Sequence, residues 1–177
     1  MYFLGSQRLS FREWSVDDAP LAILLWCDPT VTQFLGGLFS PEQARQRLQR
    51  EIEIHASSGI QYWPVFLTST DSFVGCCGLR PYRPHEHILE LGFHLLPSHW
   101  GQGLATEAAH TVIGYAFSTL GAKGLFAGHH PKNVASERVL RRLGFRYTHN
   151  EHYAPTGLMH PSYLLRPGDY VRPESSR

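Results

Sequence analysis

The sequence predicts one α/β (α+β) domain, a mixed and mostly antiparallel central sheet of about seven strands flanked by helices. Three observations predict it. Strand-like runs recur between Tyr62 and Leu96 with only short polar turns between them, which favours antiparallel neighbours. Capped runs with helical spacing lie on both sides of that stretch. In the C-terminal half a helix leads into a single strand, leaving that strand free to run parallel to its neighbour.

The elements follow in order. Leu9 and Phe11 alternate with polar Ser10 and Arg12, a first strand over about residues 8–14. Ser15 to Asp18 is a helix start, with Asp18 complementing the exposed amides, and the apolar run Ala19 to Trp26 continues it until Asp28-Pro29. Thr30 to Phe39, with Gly36-Gly37, reads as a loop. Ser40-Pro41-Glu42-Gln43 combines an N-cap serine, a first-turn proline and a capping-box glutamine, so a helix runs to about Ser58 and stops at Gly59. Strands are expected at Tyr62–Thr68, Phe73–Arg80 and Ile88–Leu96, with Gly75 and Gly78 marking a twist or bulge. A helix from Thr106 to about Leu120, a strand at Leu125–His129 and a helix opened by Asn133 and closed by Gly144 come next. Two strands between Phe145 and Leu165, joined by a Pro- and Gly-containing loop, complete the order β-α-α-β-β-β-α-β-α-β-β. The domain is expected over residues 8–166, with a tail over 167–177.

Composition narrows the function. The chain has 177 residues, 42% of them hydrophobic, which suits one domain with a real core. A net charge of +1 with no basic run disfavours nucleic-acid binding. No apolar stretch reaches the roughly 18 residues of a membrane span, so no membrane association is expected. Cys27, Cys76 and Cys77 form neither a disulfide framework nor a zinc pattern, which points to a reducing, cytoplasmic setting. The histidine pairs His85/His87 and His129/His130 have no ligand partners at metal spacing, so no metal is expected.

The segment that carries chemistry runs from Ile88 to Glu107. A strand leads through Trp100-Gly101-Gln102-Gly103-Leu104-Ala105 straight into a helix N-terminus, whose unpaired amides and positive dipole end attract phosphate. Gly101 and Gly103 let backbone approach an anion, and small Ala105 does the same for the first turn. Alone, this loop also reads as a tight turn with no ligand. The spacing does not complete a Rossmann fingerprint, and the Gly-Lys-Ser/Thr of a P-loop is missing.

Three stretches together are more specific. Leu91-Gly-Phe-His-Leu95, Trp100 to Ala108 and Asn133-Val-Ala-Ser-Glu-Arg-Val-Leu-Arg-Arg-Leu-Gly-Phe145 resemble the GCN5-related N-acetyltransferase (GNAT) superfamily. They are most similar to its ribosomal-protein-alanine N-acetyltransferase-like branch. Trp100 departs from the Gln or Arg common in the broad superfamily and is what resembles that branch. The resemblance implies a splayed strand pair that holds acetyl-CoA as co-substrate, and direct transfer of its acetyl group to a primary amine. Cofactor contacts are then expected at Phe93, Leu95, Gly101, Gln102, Gly103, Ala105, Thr106 and Asn133. Arg141 or Arg142 is an option for the adenosine phosphate, beside solvated helix charge.

For catalysis the resemblance implies Glu90 as the base and Ser136 as the group that serves the departing thiolate. Glu90 is a carboxylate within an apolar strand, where partial burial raises its pKa; the other reading has it facing solvent or pairing with a basic strand neighbour. His94 is a second candidate relay unless a bulge turns it away, and an amide near Leu95 is a candidate oxyanion donor. Ser136 also reads as a helix-surface serine, and Asn133 as an N-cap. The acceptor, a small-molecule amine or a protein N-terminus, is expected between the 29–39 loop and the Asn150–His160 loop. A homodimer stays open. A non-catalytic acyl-CoA sensor and a nucleotide-binding oxidoreductase are the alternatives from other classes.

Overall fold

The computed structural model describes residues 1–171. Two short strands, β1 (Leu4–Gly5) and β2 (Leu9–Phe11), pair antiparallel, and β1 adds an eighth strand to the expected seven. Helix α1 (Ala19–Trp26) follows a 3-10 turn in which Asp18 accepts from the Ser15 amide at 2.8 Å. The expected 30–39 loop begins instead as a short helix, α2 (Pro29–Thr32). The cause is local: Asp28 accepts from the Thr30 and Val31 amides, and Pro29 is preset for a first turn. Helix α3 (Pro41–Ser58) has the reciprocal Ser40/Gln43 cap, and Gly59 ends it with φ +73°.

The meander consists of β3 (Tyr62–Leu67), β4 (Phe73–Arg83) and β5 (Ile88–Leu95). Its irregularity falls where Val65 pairs with Gly75 but Phe66 pairs with Phe73, beside the glycine that marked a bulge. A second register shift lies between Pro81 and Arg83, beyond the Glu90 pairing, so β5 stays regular from Glu90 to Leu95. Helix α4 (Leu104–Ser118) starts two residues earlier than expected, because Gly103 takes the N-cap position with φ +76°. Strand β6 (Gly124–Gly128), helix α5 (Val134–Arg142) and the hairpin β7 (Arg146–Tyr153) and β8 (Leu158–Leu165) complete the chain. Most of the Asn150–His160 stretch expected as a loop is therefore strand, with the turn confined to residues 154–157. The antiparallel register of the two strands carries the pairing through to Tyr153 and Leu158.

The sheet order is β1-β2-β3-β4-β5-β6-β8-β7, and β5 runs parallel to β6. Each face buries its own cluster. One holds Leu79, Leu91, Leu125 and the inner side of α4; the other holds Trp26, Leu48 and Tyr62 beneath α1 and α3. Adjacent Cys76 and Cys77 point to opposite faces, as strand neighbours must, and both are free thiols. The segment assigned to the tail begins with a 3-10 turn, Pro167–Asp169, and Tyr170, whose ring lies 5.8 Å from Phe117 of α4. The remaining tail residues, 172–177, lie outside the described residues. Among the described residues no helix is long and apolar enough to cross a membrane.

Candidate active site

Strand β5 is anchored along its length to β4, but it pairs with β6 only at Ile88–Gly124, Leu89–Leu125 and Glu90–Phe126. Beyond Glu90 the two strands part, while β8 stays paired to β6 on its other side from Leu125 to Gly128. The Leu96 amide donates to Val74, so strand alternation turns the amides and carbonyls of Phe93 and Leu95 away from β4 and toward the gap. Leu95 has one such partner already: its carbonyl accepts from the Trp100 indole at 2.8 Å. Trp100 thus ties the end of the open strand to the start of the glycine loop.

The loop has the expected conformation. Gly101 and Gly103 have φ of +73° and +76°, where a side chain would be strained, and open space lies where a Gly101 Cβ would sit. Arg8 braces it from behind: its guanidinium donates to the Gln102 carbonyl at 3.1 Å and pairs with Glu107 at 2.6 Å. Burial pushes the Glu107 carboxyl up, but hydrogen bonds from the Ser6 hydroxyl and from Arg8 outweigh it and hold the pKa low. Glu107 is in the first turn of α4, where its charge competes with an incoming anion, and Arg8 offsets it. The sequence reading did not find Arg8, which is 99 residues from Glu107 along the chain.

Two cavities meet at the gap. One, of about 360 Å³, is lined by Leu95, Trp100, Gly101, Gly103, Ala105, Thr106 and Arg142. The other, of about 270 Å³, is lined by Glu90, Tyr62, Arg47, Arg80, Phe126, Glu151 and Tyr153. Phe34, Leu35, Phe93, His94, Asn133 and Ser136 line both. Of the expected cofactor contacts, Phe93, Leu95, Gly101, Gly103, Ala105, Thr106 and Asn133 therefore come together around one cavity. Gln102 does not line it: its side chain donates to the Ser98 carbonyl at 3.0 Å, and its own carbonyl is taken by Arg8. The two helix arginines separate as well. Arg141 pairs with Glu137 at 2.9 Å, whereas Arg142 lines the loop cavity. Asn133 accepts from the Ser136 amide at 3.1 Å, so it caps α5 and faces both cavities at once.

Glu90, Gly92 and His94 share one face of β5, and the Tyr62 ring crosses that face between the two titratable groups. A Cβ on Gly92 would run into the Tyr62 phenol, so the glycine is what lets the ring lie flat there. The Tyr62 hydroxyl donates to Glu90 at 3.2 Å. Burial raises the Glu90 pKa, while the Arg80 charge and the Tyr62 hydrogen bond work against that rise. Arg80 is Glu90's register partner on β4, so Glu90 has the basic strand neighbour that the sequence left open. His94 differs. Burial, with Arg47 and Arg80 nearby, drives its pKa well down, so the ring is neutral near pH 7. Its Nδ1 accepts from the Trp26 indole at 3.4 Å, which leaves the proton on Nε2.

Beneath these groups lies a charged cluster that the sequence reading missed. Glu51 of α3 is fully buried; it pairs with Arg80, accepts from the Tyr62 amide at 3.0 Å and lies 3.6 Å from Arg47. A helix-to-strand contact of this kind has no local spacing signal. At the cavity's outer side, His130 packs 4.9 Å from Phe34 and 5.5 Å from His160, which in turn lies 4.7 Å from Tyr153. Among the described residues no group of three His, Cys, Asp or Glu is placed to hold a metal ion.

Comparison with known proteins gives this geometry a family. Residues 8–146 match the model of the acetyltransferase (GNAT) domain. The chain is 28% identical over 148 residues to the uncharacterized N-acetyltransferase p20 of Bacillus licheniformis, covering 82% of this chain and 83% of that one. Its fold is similar to that of a GNAT-family acetyltransferase from Bacillus anthracis, with a TM-score of 0.80, 23% identity and coverage of 94% and 98% of the two chains. It is also similar to RimL, a ribosomal L7/L12 alpha-N-protein acetyltransferase solved in complex with coenzyme A, with a TM-score of 0.77, 19% identity and coverage of 91% and 95%. The matched domain model spans the open strand, the glycine loop and the α5 helix, so this chain belongs to the GNAT acetyltransferase family and is an N-acetyltransferase.

Proposed function

We propose that the protein transfers the acetyl group of acetyl-CoA to a primary amine by direct attack. The observation that carries this reading is the meeting of two cavities at Phe93, His94 and Ser136, one reaching the glycine loop and the other reaching Glu90. The loop residues fit a pyrophosphate: two left-handed glycines, a helix N-terminus and an internally offset Glu107 leave an open, amide-rich cradle. Acetyl-CoA, when bound, supplies the activated acyl group. Thr106 adds a hydroxyl to the loop wall and Arg142 a cation. The gap-facing groups of Phe93 and Leu95 are suited to the pantetheine amides, and the Leu95 amide would be a donor for the thioester oxygen as it becomes negative.

Glu90 accepts the proton that an ammonium must lose before it can attack. Its raised pKa suits the task, because a more basic carboxylate takes an amine proton more readily. His94 is a poorer base: burial, and then the Arg47 and Arg80 charges, oppose its protonated form. The amine nitrogen adds to the thioester carbon, the carbon–sulfur bond then breaks, and the second proton of that nitrogen passes by way of the Ser136 hydroxyl to the departing thiolate. The domain proper is residues 8–166.

Incubation of purified protein with acetyl-CoA and pools of amino acids, peptides and small amines, followed by mass spectrometry, tests the reading. A product heavier by one acetyl group, formed with stoichiometric release of free CoA, is expected. CoA binding with no acetylated product in any pool would instead support an acyl-CoA sensor.

A further inference from the structure

We propose that the acceptor is an α-amino acid with an apolar or aromatic side chain, held by its carboxylate on Arg47. This rests on the acetyl-transfer reading and names the substrate class of the same site. Arg47 lines the cavity that contains Glu90, and its side chain is 12% exposed. Among the described residues no hydrogen bond reaches its guanidinium, and its Nε is buried without a hydrogen-bond partner. Glu51, 3.6 Å away, is already engaged by Arg80 and the Tyr62 amide, and the Trp26 ring 5.1 Å from the guanidinium orients it without satisfying its donors. A guanidinium left with free donors in a cavity is matched by a planar carboxylate, which it binds through two parallel hydrogen bonds.

The other charges of the cavity fit that placement. Glu151 accepts from the Tyr82 hydroxyl at 2.9 Å, and Arg80 is held by Glu51. Arg47 and Glu90 are thus the pair available to a zwitterion. Arg47 and Glu90 line the same cavity, and the Arg47 charge acts on the Glu90 carboxyl. An α-amino acid, with its carboxylate one carbon from its amine, spans such a pair; a peptide N-terminus has an amide in place of that carboxylate. Phe34, Tyr153 and the Tyr82/Phe126 stack, with rings 3.9 Å apart, form apolar walls for the side chain.

The test uses the full-length protein and pairs each proteinogenic amino acid with its own C-terminal amide. Both kcat/KM for acetylation and the dissociation constant with CoA present are measured, in the wild type, Arg47→Met and Arg47→Lys. At least one apolar or aromatic amino acid is expected to bind about tenfold or more tightly than its amide. In Arg47→Met that ratio falls toward one, and Arg47→Lys retains part of it. The lower amine pKa of the amides cancels, because the same pairs are compared in every protein. Unchanged CoA affinity in both variants reports an intact fold. The proposal is overturned if amides bind as well as acids, if the ratio survives in Arg47→Met, or if neither series binds. Amino-acid binding that depends on Arg47 but produces no acetylation would uphold this assignment and reject the transfer reading.

Discussion

At the scale of single residues, Glu90 and Tyr62 carry the sharpest expectation. The base form of Glu90 is its carboxylate, and burial shifts its titration upward, so kcat/KM should rise with pH through a limb above the ordinary carboxylate range. The Tyr62 hydroxyl donates to that carboxylate and favours the charged form. Tyr62→Phe should therefore move the limb to higher pH, and Glu90→Gln should abolish it; a pH-rate profile unchanged in Glu90→Gln would remove the residue from the mechanism. Gly92 belongs to the same argument. In the sequence it is one glycine inside an apolar strand, and only its contact with the Tyr62 ring explains why no side chain is tolerated there.

At the scale of elements, α5 combines two tasks at its N-terminus. Asn133 caps the helix, and Ser136, held by that cap, faces both cavities. Ser136→Ala should lower kcat with little effect on acetyl-CoA affinity, because the backbone amide that Asn133 engages is kept. Steady-state kinetics together with a direct CoA titration separate these outcomes, and an equal kcat would make Ser136 a wall residue only. Ser136 was singled out by the family resemblance, whereas Asn133 was legible beforehand as a cap, since caps follow local spacing. Helix α2 was not, although its signal is local too: Asp28-Pro29 reads equally well as the end of one helix and the start of another. The facing ends of β7 and β8 were drawn as part of the Asn150–His160 loop because their polar and aromatic residues lack an apolar face. The edge strand β7 is exposed along nearly its whole length, so burial leaves no alternation to read.

At the scale of the whole molecule, Glu51 holds α3 to the sheet through Arg80 and the Tyr62 amide. Glu51→Ala leaves the Arg80 charge in a mostly buried position without its counter-ion, so unfolding by urea should show a loss of about 3–5 kcal/mol. A loss below about 1 kcal/mol would mean that solvent already screens Arg80. The order of the strands and helices apart from β1 and α2, the glycine loop and the capped α5 were determined by the sequence alone, because period, caps and turn residues act within a few positions of one another. Tertiary structure decided the rest. It opened β5 from β6 at Glu90, set Arg8 behind the glycine loop, took Gln102 off the cavity wall and brought Arg47 and Arg80 to the wall of the Glu90 cavity, with Glu51 paired to Arg80. Those are contacts between residues tens of positions apart, whose partners are chosen by packing and charge in three dimensions rather than by spacing along the chain.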